Sequence, residues 1–191
     1  MTPFSSETYL EQVSAIAKGF IDSEEYTKAI QILLECYKRK GVVYTMGCGG
    51  SASTATHFAA DLAKTVGRFR AISLVDNIPL VSAWTNDFGW ESVFEGQLND
   101  WITKDDVLVG FSVHGGTKKW SGNLTLAMKL AKKRRAKIIG FSGFDGGAMK
   151  EIADACLVVP TDSEIYGTPL VEAMQVVLVH GIIFSLKERL K

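Results

Sequence analysis

The sequence predicts an α/β fold, a three-layer sandwich in which a five-stranded parallel sheet is flanked by helices. Three observations carry the prediction. Five short apolar runs alternate with helical stretches along the chain, two helices precede the first run, and glycine- and hydroxyl-rich turns follow the first and third runs. Short buried runs separated by helices are the pattern of a parallel sheet covered on both faces.

From the N-terminus, residues 6–20 and 24–40 read as helices. The second places Ile30, Leu33, Leu34 and Tyr37 on one stripe of period 3.6, and Gly41 is its expected stop. The strands are expected at 42–46, 71–75, 107–111, 137–141 and 156–159. Helices are expected near 52–66, 90–101, 124–135 and 148–153, with a long closing helix from about 170 to 190. No repeat, linker or low-complexity segment divides the 191 residues, so the chain is expected to form one domain with a helical extension over about residues 1–40.

Composition narrows the function. Lys and Arg together number 21, as do Asp and Glu, which argues against a whole-surface affinity for nucleic acid or anionic membrane; any anion site must be local. The run Lys132-Lys133-Arg134-Arg135 falls at a helix end, where cations complement the dipole. The longest apolar stretch, 176–184, is short for a membrane span, and the N-terminus lacks the basic start and apolar middle of a secretory signal, so a cytoplasmic location is expected. Cys36, Cys48 and Cys156 form no metal spacing or disulfide framework, and Cys36 and Cys156 read as core residues.

Gly47-Cys48-Gly49-Gly50-Ser51 lies between the first strand and a helix, where glycines let backbone approach an anion and the helix start offers free N–H groups. Ser51 and Ser53 add hydroxyls. This is neither a Walker loop nor a dinucleotide fingerprint, and no nucleotide cofactor is expected. A second turn, Ser112-Val113-His114-Gly115-Gly116-Thr117, follows the third strand, then Lys118 and Lys119. In an open parallel sheet two such turns can meet around one ligand, more consistent with a sugar phosphate than with a nucleoside triphosphate.

The segments GCGGSASTATHFAADL, TNDFGWESVF, the GFS turn, SGFDGGAMKEIAD and VVLVHGIIF together resemble the bacterial phosphoheptose isomerases of the sugar isomerase (SIS) domain family, over nearly the whole chain. The resemblance implies a flavodoxin-like doubly wound sheet, a homotetramer with active sites shared between subunits, and interconversion of sedoheptulose 7-phosphate with a manno-heptose 7-phosphate that supplies heptose for surface polysaccharide. It places His57 and Asp61 on the helix after the first turn, Asp61 where the family typically has a catalytic Glu. His180 stands at the catalytic His, Glu172 at a usual Gln, and Asn86 and Asp87 at an Asn-Asp pair that contacts the sugar. Cys48, Gly49, Gly50 and Ser51 fall in its first loop, and Ser112, His114 and Thr117 in its phosphate turn.

The departures are specific. Cys48 replaces an Asn, and a turn commonly Ser-x-Ser-Gly-Asn-Ser carries His114 and Thr117, with an insertion before Ser121. Phosphate binding remains open to Ser112, His114, Thr117 and Lys118 or Lys119. Isomerisation through an enediolate needs a base at carbon and an acid at oxygen, or a metal to hold the charge. Asp61 and His180 fit the first requirement. His57, Asp61, Glu172 and His180 are candidate ligands of zinc or another divalent ion for the second, although Glu172 and His180 are separated by roughly 12 Å of helical rise. A non-catalytic SIS-domain binding protein, or an isomerase of another phosphosugar, stays open at this stage.

Overall fold

A computed structural model describes residues 5–117, 120–163 and 165–191; Lys118 and Lys119 lie outside them. The element order is α1 (Ser6–Gly19), α2 (Glu24–Arg39), β1 (Val42–Gly47), α3 (Gly50–Ala60) running into a π-helical stretch (Asp61–Val66), β2 (Arg70–Ser73), α4 (Ile78–Phe88), a 3₁₀ turn (Trp90–Ser92), α5 (Val93–Leu98), β3 (Val107–Phe111), α6 (Gly122–Lys133), β4 (Lys137–Gly143), α7 (Gly147–Ile152), β5 (Ala155–Val159) and α8 (Gly167–Arg189). All strand pairs are parallel, in the order β2-β1-β3-β4-β5. The five expected strands and the two-faced sandwich are present.

The two faces follow from strand alternation. Val43, Val107, Val109, Phe111, Ile139 and Phe141 point to a core closed by α2, α3 and α8, where Phe111 stacks on Phe141 at 4.7 Å between ring centroids. Tyr44, Met46, Leu108 and Ile138 point the other way, into a second core with Phe94, Leu124 and Met128. Cys36 and Cys156 are buried as expected, and burial pushes each thiol up to about 11. The last-turn cations Lys132 and Lys133 sit at the end of α6, and Arg134 donates to the Asn99 carbonyl.

Some expectations need correction. Helix α4 is missing from the expected elements although its signals are present: Val81, Trp84 and Phe88 recur at helical spacing, Val81 and Trp84 pack partly buried against the second core, Asn77 caps Leu80 N and Pro79 lies in its first turn. The helix expected over 90–101 is a 3₁₀ turn followed by only six α-helical residues. The buried face of α2 centres on Ala29, Ile30, Ile32, Leu33 and Cys36. Lys40, not Gly41, adopts the left-handed conformation that ends α2, and Gly41 is required because a Cβ there would strike the Asp105 carbonyl. Finally, α8 is long and apolar enough by composition to cross a membrane, which the shorter 176–184 stretch had not indicated. Half of its most apolar window is buried inside the fold, as in a core helix.

Candidate active site

The strand order reverses between β1 and β3, and register pairs Gly47 with Phe111. The two glycine-rich turns therefore leave adjacent strand ends at the switch point, where open α/β sheets bind ligands.

In the first turn, Gly49 has φ of 61°, a conformation that favours glycine, and α3 starts without a side-chain cap. The Glu172 carboxylate lies directly over Gly50, where a Cβ would collide with it. Ser51 is buried and donates to Gln175 Oε1 at 2.9 Å, so its hydroxyl ties α3 to α8 instead of facing an open cradle. Cys48 receives a hydrogen bond from Asn123 Nδ2 at 3.5 Å. Burial pushes its thiol above the usual range, the nearby Glu91 charge adds to this, and bonds to Asn123 and Ser121 partly oppose it. At neutral pH it is a thiol, not a nucleophilic thiolate.

Helices α3 and α8 lie side by side and run the same way, with Glu172 opposite Gly50 and His180 opposite His57. His57 and Asp61 share a face of α3 and its π-helical continuation at i,i+4. Asp61 Oδ2 lies 3.4 Å from His57 Nε2 and 3.7 Å from His180 Nε2, and the two imidazoles meet edge to face at 5.0 Å. Asp61 is the most enclosed of the three, with 19% of its side chain exposed against 48% and 44% for His57 and His180. Its other oxygen, Oδ1, accepts from Thr65 Oγ1 at 2.7 Å.

The four candidate metal ligands are not gathered into one group. His57, Asp61 and His180 present donor atoms within 4.8 Å of one another, and Glu172 stands outside this group. The reason is the parallel packing: α8 keeps the helical rise between residues 172 and 180, so only one of the pair reaches Asp61. Glu172 instead lines a cleft of about 320 Å³ with Gly50, Ser53, Thr54, His57, Ala173 and Val176. Two imidazoles and one carboxylate are a donor set suited to a divalent first-row ion, so the three-residue group fits such a metal by chemistry and spacing.

The second turn is held mostly by its own contacts. Ser112 Oγ accepts from Gly115 N at 3.1 Å, and Thr117 Oγ1 accepts from Trp120 N at 3.1 Å. The carbonyls of Gly115 and Gly116 accept from Met149 N and Ala148 N in the first turn of α7. His114 stacks with two aromatic rings, Phe144 at 4.8 Å and Trp120 at 5.7 Å, both nearly parallel to it. Phe144, at φ of 55°, also packs on Gly167 at the start of α8. Asn86 and Asp87 are exposed on α4, and Asn86 Nδ2 donates to Asp87 Oδ1 at 2.8 Å. Phe144, Trp120, Asn123, Gln175 and Thr65 join the site without being among the residues expected there. Aromatic residues within the SGFDGG motif and the insertion were the available signal for the first two.

Comparison with known proteins agrees with this geometry. Residues 8–143 match the SIS domain family. The chain is 35% identical over 180 residues to a phosphoheptose isomerase of Helicobacter pylori, covering 90% of this chain and 88% of that protein. It is 42% identical over 159 residues to the lincomycin biosynthesis protein LmbN of Streptomyces lincolnensis, covering 80% of this chain but spanning only 58% of that protein's length. The structure of phosphoheptose isomerase GmhA from Neisseria gonorrhoeae superposes with a TM-score of 0.84 at 27% identity, covering 95% of this chain and 94% of that one. With two glycine-rich turns at the switch point and an imidazole–carboxylate group on the neighbouring helices, the chain belongs to the SIS domain family and, within it, to the phosphoheptose isomerases.

Proposed function

We propose that this chain is an intramolecular oxidoreductase, an aldose–ketose isomerase that interconverts sedoheptulose 7-phosphate and D-glycero-D-manno-heptose 7-phosphate. The observation that carries the reading is the Asp61 carboxylate set between two imidazoles. In the aldose-to-ketose direction, Asp61 removes the proton from C2 and returns it to C1, while His180 serves proton exchange between the two substrate oxygens. The intermediate is an enediolate, and no atom is gained or lost. A divalent ion held by His57, Asp61 and His180 would supply positive charge beside that enediolate. The sugar phosphate is received between the two turns, with Gly49 and Gly50 offering backbone, and Ser112, Thr117 and His114 the second wall. Glu172 lines the cleft toward the sugar, and Asn86 and Asp87 are assigned to sugar contact by resemblance alone.

A different phosphosugar is the second reading, favoured by His114, whose stacked ring fills a place the family usually gives to a serine. A homotetramer with shared sites fits the apolar side chains left exposed on α4 and α8, Ile78, Phe88 and Phe184. Incubation with sedoheptulose 7-phosphate in D₂O, followed by NMR, should show aldoheptose signals and deuterium at C2. Binding with neither conversion nor exchange would make the chain a non-catalytic phosphosugar-binding protein.

A further inference from the structure

Asp61 is the point at which α3 gives way to a π-helical stretch, Asp61–Val66. Such stretches are rare and are concentrated at functional sites. Within this one, Thr65 Oγ1 donates to Asp61 Oδ1 at 2.7 Å, while Oδ2 is turned to His57 and His180. The two carboxylate oxygens therefore have separate partners: one is anchored within its own helix and the other faces the imidazoles. An aspartate stands one methylene closer to its backbone than a glutamate, so its reach into the site depends on how the carboxylate is turned.

We propose that Thr65 is a positioning residue, which holds Oδ1 so that Oδ2 is presented toward the reacting carbon. The proposal rests on the reading of Asp61 as the base. Rotation of the carboxylate about its Cβ–Cγ bond would carry Oδ2 away from both imidazoles, and the Thr65 hydroxyl is what opposes that rotation. Pre-set orientation of a catalytic group raises turnover without requiring tighter substrate binding. Thr65 itself is exposed, so water can replace part of the lost bond, and the effect should be moderate.

The test compares T65V, which keeps the shape and removes the donor, with T65S, which keeps the donor. T65V should lower kcat about tenfold with KM within about twofold of the parent and an unchanged thermal transition, and T65S should restore kcat to within about twofold. D61N and the double variant D61N/T65V complete the set, and T65V should add nothing in the D61N background. If T65V turns over like the parent, or T65S falls as far as T65V, while D61N is inactive, the positioning role is overturned and the reading of Asp61 stands. A fully active D61N overturns the reading of Asp61, and the positioning role with it.

Discussion

The α3–α8 seam and the turn between β3 and α6 are built differently. In the seam, His57, Asp61 and His180 are set by the pitch of two parallel helices whose other faces are packed in the core. In the turn, Ser112 and Thr117 accept from backbone N–H groups of Gly115 and Trp120, His114 stacks on Trp120 and Phe144, and the backbone is tied to the first turn of α7. Helices fix side chains at constant intervals, and turns allow length and residue type to vary. The turn carries a stacked histidine, and the seam an imidazole–carboxylate group. The proposed function thereby assigns reaction chemistry and substrate choice to separate pieces of backbone.

That division can be broken experimentally. The largest effect is expected in the seam: D61N and H180Q should each lower kcat by about 10² to 10⁴, the range for loss of a general acid or base, while the thermal transition is retained. Unfolding of both variants would make the group structural. Chelation should come next, lowering activity severalfold or more in untagged protein with recovery on zinc return. Full activity in verified metal-free protein would restrict the three residues to acid–base work. H114A should raise KM about threefold to tenfold with kcat little changed, and the same change in kcat instead would place chemistry in the turn. The smallest effect on turnover belongs to S51A. Loss of the buried bond to Gln175 should cost about 1–3 kcal/mol of stability, read as a lowered melting temperature, with KM unaffected. A large rise in KM would return Ser51 to the phosphate cradle.

The strands were legible because their burial leaves a local mark. Residues 42–46 or 107–111 are apolar on both faces of the sheet, and the pattern needs no tertiary knowledge to be read. Helix α4 left a weaker mark, the short stripe of Val81, Trp84 and Phe88, because it meets the core only through partly buried side chains. At the site, the i,i+4 spacing of His57 and Asp61 is a helical property and was visible directly. Whether Glu172 joined them depended on the direction in which α8 passes α3, and spacing along one helix does not contain that information. The stack of His114 with Phe144 was hidden for the same reason, because thirty positions of chain and a strand separate the two rings.

Helix α1 has one further consequence. Its fourteen residues include none that is buried, and it rests on α8 through contacts such as Tyr9 Oη to the Pro169 carbonyl and Gln12 Nε2 to Tyr166 Oη. A helix of that length is marginal in water on its own, so its order is borrowed from the helix that also carries Glu172 and His180. Its amide hydrogens should exchange with solvent long before those of the sheet, by local opening instead of global unfolding. Leu10 on α1 and Phe184 on α8 are 63% and 68% exposed, and a second copy of the chain seated on them would slow that exchange in proportion to occupancy. Deuterium uptake in α1, followed against protein concentration, would then gauge whether self-association covers this face.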